Sequence, residues 1–311
     1  MVQVAASETM PLETVVLDTV TKRFGAIRAL DRVDLSIGRG VVLALLGANG
    51  AGKSTLMDLL TGVTVPDAGS VRVFGRPPAE AVMAGRVGVM LQDGGFMPGV
   101  RVGALVELVS RWYPAPRPTA QVLAAADLTA IAHRRVDRLS GGQAQRLRFA
   151  LAVVGDPDLL LLDEPTNGMD VGSRRRFWAV VRSSAGEGCT VVFATHYLHE
   201  AEEFADQVVV LAAGRVALTG TVAGIATSAG TSRVRFTLGE PAEGMTDGAL
   251  RGLPGVVGVR LQGGTAVLDT TDAEATVRAL LAVRHQVAEL EVVRPGLDEA
   301  VLAHTGPVLH R

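Results

Sequence analysis

The stretch Gly47-Ala48-Asn49-Gly50-Ala51-Gly52-Lys53-Ser54-Thr55 crowds glycines, an ammonium group and two hydroxyls into one short segment. It fits the pattern GxxxxGK[ST], whose chemistry is phosphate binding. The glycines let the backbone curl until several N–H groups point inward at phosphate oxygens. Lys53 is placed to reach β- and γ-phosphates, and the Ser54 hydroxyl to ligate Mg²⁺. Lysine stands at Lys22 and Lys53 only, in a chain whose default cation is arginine, so its retention in this loop is informative. A second pair, Asp163-Glu164, ends the apolar run Leu159-Leu160-Leu161-Leu162. Beside a phosphate loop such an Asp holds Mg²⁺, directly or through water. The Glu that follows can polarise an attacking water as a general base. A third segment, Leu139-Ser140-Gly141-Gly142-Gln143, is by itself only a glycine turn opening a helix, a weak anion site.

These groups need a scaffold. Residues 41–46 are an apolar run that reads as a buried strand, and 55–60 read as the start of a helix. Strand, glycine loop and helix are the context in which the phosphate motif has meaning. Upstream, residues 14–20 read as a strand, Lys22 to Gly25 as a turn carrying an exposed-looking Phe24, and 30–37 as an alternating strand. Residues 70–74 follow the turn Pro66-Asp67-Ala68-Gly69 as another strand. This antiparallel beginning is unlike a plain doubly wound fold. Residues 86–92 read as a strand ending on Gln92, followed by Asp93-Gly94-Gly95. Residues 101–133 read as helices interrupted by Pro114, Pro116 and Pro118, and 145–154 as a helix. Residues 158–165 and 189–194 are buried strands, the second leading to Thr195-His196. Residues 207–212 and 215–218 form a hairpin around Gly214.

Past Gly220 the composition shifts. Residues 1–13 read as a leader, 14–220 as the nucleotide-binding domain, 221–232 as a linker of small polar residues, and 233–311 as a small α+β accessory domain. The last has the element order β-α-β-β-α-β and a terminal helix over 297–304. Thr271 and Glu274 are placed as a capping box for a helix running to about 285.

At 311 residues, 48% hydrophobic and 20% charged, the chain can bury a substantial core. A net charge of −2 gives no hint of nucleic acid or an anionic membrane as a bulk electrostatic partner. Cys189 is the single cysteine, so no intrachain disulfide forms, and it reads as a small core residue in a cytosolic chain. No stretch reaches the ~18 apolar residues of a membrane span. Arg174-Arg175-Arg176 reads as a solvated helix face.

In the order phosphate loop, LSGGQ, paired acids, the chain resembles the ATP-binding cassette (ABC) ATPases over residues 14 to about 220. The resemblance implies an α/β P-loop fold with a mixed sheet core, an antiparallel β subdomain and a helical subdomain. It implies that Ser140, Gly141, Gly142 and Gln143 bind the γ-phosphate held by the other cassette of a head-to-tail homodimer. Phe24 then stacks on adenine, a position the family more often fills with Tyr; stacking needs only a π face. Gln92 touches Mg²⁺ and water and couples to a membrane partner, and Asp170 lies in a dimer-facing loop after the acids. His196 is the switch histidine that contacts γ-phosphate. ATP and Mg²⁺ are the implied ligands: Gly47, Asn49, Gly50, Ala51, Gly52, Lys53, Ser54 and Thr55 hold the nucleotide, and Ser54, Gln92 and Asp163 the metal.

Within the family, Thr166-Asn167-Gly168-Met169-Asp170 and the tail from Leu297 to Gly306 look like the drug- and antibiotic-export ATPases. The tail's usual form has Phe where this chain has Val301 or Leu302. The expected function is the ATP-hydrolysing subunit of an exporter, held at the cytoplasmic face by a separate permease. An importer subunit is the alternative. ABC-type DNA-repair and ribosomal ATPases are disfavoured, because residues 53–140 carry no sustained heptads and only one phosphate loop is present.

Overall fold

A computed structural model of the chain describes residues 13–92, 95–228, 231–238, 247–282, 287–293 and 296–305. Most of the expected leader, the Asp93-Gly94 pair, residues 283–285 of the expected accessory helix and Gly306 of the tail lie outside them. The chain divides into two compact units, Met1–Gly220 and Thr221–Arg311.

In the first unit the elements run β1 (Glu13–Phe24), β2 (Ile27–Gly38), β3 (Val42–Leu46), α1 (Lys53–Thr61), β4 (Ala68–Val73), α2 (Pro78–Met83), β5 (Val87–Met90), α3 (Val102–Ser110), α4 (Thr119–Ala125), α5 (Gly141–Val153), β6 (Leu159–Asp163), α6 (Val171–Gly186), β7 (Thr190–Thr195), α7 (Leu198–Phe204), β8 (Gln207–Ala212) and β9 (Arg215–Thr221). Strands β3, β6 and β7 are near-continuous apolar runs because both faces of a parallel sheet are covered. All residues of β3 and β7 are buried, as are the four leucines of β6. Exposing one such leucine would cost about 2 kcal/mol, so β6 is no edge strand. It lies between β5 and β7 in the sheet order β5-β6-β7-β3-β8-β9. The pairs around β3, β6 and β7 are parallel. Ala213 and Gly214 both have positive φ (48° and 76°), which suits the two-residue turn that closes β8 onto β9.

A separate antiparallel sheet has the order β2-β1-β4. Its Val15, Leu17, Val20, Val33, Leu35 and Ile37 join Leu43, Leu45 and α1 in one core. Helices α3, α4 and α5 pack together as a helical layer. The fold is therefore the P-loop cassette type, with mixed sheet, antiparallel sheet and helical parts.

Several boundaries differ from expectation. Phe24 is the last residue of β1 and not part of a turn. β5 stops at Met90, two residues before Gln92. Helix α1 begins at Lys53, and α5 begins at Gly141. The glycines of Ser140-Gly141-Gly142 are thus the first turn of the helix itself. Ser140 caps it: its hydroxyl accepts from the Gln143 N–H while the Gln143 side chain accepts from the Ser140 N–H.

The second unit holds α8 (Val222–Ser228), β10 (Ser232–Leu238), α9 (Asp247–Arg251), β11 (Val256–Gln262), β12 (Thr265–Thr270), α10 (Ala273–Ala282), β13 (Val287–Val293) and α11 (Leu297–Thr305). The expected linker is largely helix: α8 occupies residues 222–228 and packs beside α11. The sheet order is β11-β12-β10-β13, with neighbours antiparallel. Val234 and Phe236 alternate into a core with Leu250, Val259, Leu268 and Leu280. The cap of α10 is Asp272, whose carboxylate accepts from the Ala275 N–H at 2.9 Å. Thr271 instead donates to the Gly255 carbonyl, and Glu274 pairs with Arg278. A carboxylate one residue nearer the helix out-competes the expected hydroxyl.

Candidate functional site: a nucleotide cleft

The residue before α1, Gly52, sits at φ 111°, and a Cβ there would come within 2.7 Å of the Ala29 carbonyl. Only glycine fits, and the loop is thereby held against the start of β2. Helix α1 receives no side-chain cap, unlike α5 and α6, so its first N–H groups suit an anion. The Lys53 ammonium curls back to donate to the Gly47 carbonyl at 2.6 Å and the Ala48 carbonyl at 3.2 Å. Burial lowers the Lys53 pKa, while the Glu164 and Asp163 carboxylates act in the opposite direction.

A cleft of about 360 Å³ opens here, lined by Ile27, Ala29, Asn49, Gly50, Gly52, Lys53, Ser54, Thr55, Gln92, Asp163, Glu164 and His196. It gathers residues from five separate stretches of chain. Asp163 is the end of β6, and Glu164 follows with φ 46°. A left-handed glutamate carries strain of about 1–3 kcal/mol, and its surroundings impose it. The Glu164 N–H donates to the Ala194 carbonyl at 2.9 Å, and its carbonyl accepts from the buried Gln145 amide at 2.9 Å. His196, just past β7, brings Nδ1 to 2.7 Å from Glu164 Oε1. A carboxylate can only accept, so Nδ1 carries the hydrogen.

The other expected residues lie elsewhere. Gly47 and Ala51 are not among the lining residues; a Cβ on Gly47 would strike the Leu211 carbonyl at 2.5 Å. Phe24 is half exposed and outside the cleft lining. The Lys22 ammonium lies 5.4 Å from its ring centroid. Ser140, Gly141, Gly142, Gln143 and Asp170 do not line this cleft either. Asp170 caps α6, accepting from the Ser173 N–H at 2.9 Å and from its hydroxyl at 2.7 Å. Those bonds hold its carboxyl below the usual range.

Ser54, Gln92 and Asp163 offer hydroxyl, amide and carboxylate oxygens. Such a set suits Mg²⁺, which takes one or two carboxylates and completes its shell with water and phosphate. Among the described residues no group of three His, Cys, Asp or Glu could hold a metal by itself.

Three features escaped the sequence reading. Ile27 and Ala29 line the cleft without any motif to mark them. Gln145 grips the Glu164 backbone from α5. Arg174, expected on a solvated face, lies 3.5 Å from the fully buried Glu200.

The model for ABC transporters matches residues 30–167. The daunorubicin resistance ATP-binding protein DrrA3 of Streptomyces coeruleorubidus is 35% identical over 302 residues, covering 94% of this chain and 96% of that protein. The chain belongs to the ABC transporter family. This ABC protein also matches the Nod factor export ATP-binding protein I of Paraburkholderia xenovorans, at 37% identity over 66% of this chain and 70% of that one. A solved dimeric post-hydrolysis structure of the ATP-binding cassette MJ0796, bound to ADP and Pi, superposes with a TM-score of 0.61 at 26% identity. It covers 67% of this chain and 98% of the other. This ABC protein is an ATPase, and Lys53, Ser54, Gln92, Asp163 and Glu164 of the cleft fall within the matched residues 30–167.

Proposed function

We propose that this ABC ATPase drives export through a separate transmembrane permease, for a drug, an antibiotic or another hydrophobic compound. Relatives named for daunorubicin resistance and for Nod factor export support export, and none of these names favours the importer alternative. Among the described residues no helix is long and apolar enough to cross a membrane. On this reading the membrane path belongs to another chain, and this subunit would sit on the cytoplasmic face by contact with it. The substrate class rests on the drug-resistance relatives, whose alignment runs through nearly the full chain.

The observation that carries the ATPase chemistry is the convergence of Lys53, Ser54, Gln92, Asp163, Glu164 and His196 on one cleft. Lys53 and the first turn of α1 would hold the β- and γ-phosphates. When bound by Ser54, Gln92 and Asp163, Mg²⁺ would neutralise phosphate charge. Glu164 would accept the proton of the attacking water, with His196 orienting its carboxylate at 2.7 Å. Phe24 would supply a π face for adenine. Ser140 to Gln143 and Asp170 lie outside this cleft, in keeping with use by the facing cassette of a head-to-tail dimer.

The test is Glu164→Gln, which keeps size and removes the proton acceptor. It should bind Mg-ATP like the parent and lose hydrolysis by about two to four orders of magnitude. Phosphate release at the parental rate would refute the assigned base.

A further inference from the structure

Glu200 is the one glutamate whose side chain is fully buried, at 0% exposure, among the described residues. It lies outside the cleft lining, yet its two carboxylate oxygens reach both backbone segments that carry the reacting groups. Oε1 accepts from the Thr166 hydroxyl, two residues past Glu164. Oε2 accepts from the Thr195 hydroxyl at 3.2 Å, one residue before His196. Thr195 Oγ1 in turn accepts from the Tyr197 N–H at 3.1 Å, closing a turn around His196. Thr166 and Thr195 are themselves buried, at 1% and 0% exposure. Arg174 of α6 brings Nε to 3.5 Å from Oε1, so the carboxylate has a cation beside it as well as two hydroxyl donors.

Burying a carboxylate is costly unless it is paired and hydrogen-bonded. The pairing here ties three elements at one point: the loop after β6, the end of β7 and the start of α6. The Glu164–His196 contact spans the first two of these. We propose that Glu200 is a positioning residue for hydrolysis, fixing Thr166 and Thr195 so that Glu164 and His196 stay in register. The Glu200 side chain is not among those that line the cleft. A glutamine in its place keeps the volume but aims an N–H₂ group at one threonine hydroxyl and loses the attraction to Arg174. The proposal rests on the assignment of Glu164 and His196 to the hydrolytic step.

The experiment is steady-state ATP hydrolysis by the full chain, with thermal unfolding alongside. Glu200→Gln should lower kcat by about tenfold or more while KM for Mg-ATP stays within about twofold, since the phosphate loop does not contact Glu200. Thr166→Val removes one donor with little change of shape and should lower kcat in the same sense. The double variant should lose less than the product of the two single losses, because both substitutions weaken one network. If Glu200→Gln fails to fold, Thr166→Val carries the test by the same split of kcat from KM. An unchanged kcat in a folded variant, or a loss carried by KM, overturns the proposal. Glu164→Gln and His196→Ala are measured in parallel. If they hydrolyse normally, the assignment beneath has failed; if they are inactive and Glu200→Gln is not, only the role of Glu200 has failed.

Discussion

Lys53 is the cation of a cleft that also holds two carboxylates. Burial works against its charge and Asp163 and Glu164 work for it. Lys53→Ala removes the charge that would meet the β- and γ-phosphates, and no second lysine is near in sequence to replace it. Calorimetry should record loss of tight Mg-ATP binding; equal affinity in variant and parent would sink the phosphate-loop assignment. Cys189 offers a check away from the cleft. Burial is the main cause that pushes its thiol up to about 12, with the Asp158 charge adding to it. The thiolate is the reactive form, so alkylation by iodoacetamide at pH 8 should be about three orders of magnitude slower in the folded chain than after denaturation. Of the residues that line the cleft, Lys53, Ser54, Asp163 and Glu164 could be singled out by local spacing, and Gln92 and His196 only through the family resemblance. Glu200 and Gln145 could not: each is a polar residue within a helix, and its burial depends on partners 19 to 34 residues away.

Strands β3, β6 and β7 were readable because a buried parallel strand is a run of apolar residues with no polar interruption. Helix starts were less so. The sequence places glycines before a helix starting at residue 145, yet Gly141 and Gly142 lie within the first turn of α5 because the Ser140–Gln143 capping box starts it four residues earlier. Composition also misled at residues 222–228, where small residues form α8 because α11 offers a surface to pack on. Between the sheets the shared apolar core is joined by a polar contact at the rim. Asp31 of β2 accepts from Arg215 Nε of β9 at 2.8 Å and from Arg28 Nη1 at 2.9 Å, and its N–H donates to the Gly214 carbonyl at 2.8 Å. The Arg215 hydrogen bond is the main cause that holds the Asp31 carboxyl below its ordinary value of 3.8. A depressed carboxylate stabilises the fold above the unfolded-state value, and that contribution is lost as pH falls through the folded-state value. Asp31→Asn should therefore lower Tm at pH 7, and the gap to the parent should close as pH falls below 3.8. A gap that stays constant down to pH 3 would mean that the carboxylate's charge contributes nothing.

The two units have cores with no residue in common, and every residue that lines the Lys53 cleft precedes Gly220. A chain ending at Gly220 should fold and bind Mg-ATP with parental affinity; an unfolded circular dichroism spectrum would place the two units in one cooperative core instead. Assembly of two cassettes is a separate matter. If ATP is held between one chain's Lys53 loop and the other's Ser140 to Gly142, its phosphates satisfy donors from both, and removing the γ-phosphate releases the pair. Glu164→Gln should then accumulate as a dimer on Mg-ATP, because it binds and does not hydrolyse. Adding Ser140→Arg sets bulk and positive charge against the facing site. It also removes the cap of α5, which is worth about 1 kcal/mol. Ser140→Ala removes the same cap and one phosphate donor but adds neither bulk nor charge, so the difference between the two variants reports the bulk and charge alone. On size-exclusion chromatography with Mg-ATP, Glu164→Gln should elute as a dimer, Glu164→Gln/Ser140→Ala as a dimer that dissociates more readily on dilution, and Glu164→Gln/Ser140→Arg as a monomer. A Ser140→Arg double variant that still dimerises would remove this segment from the interface, and with it the head-to-tail arrangement.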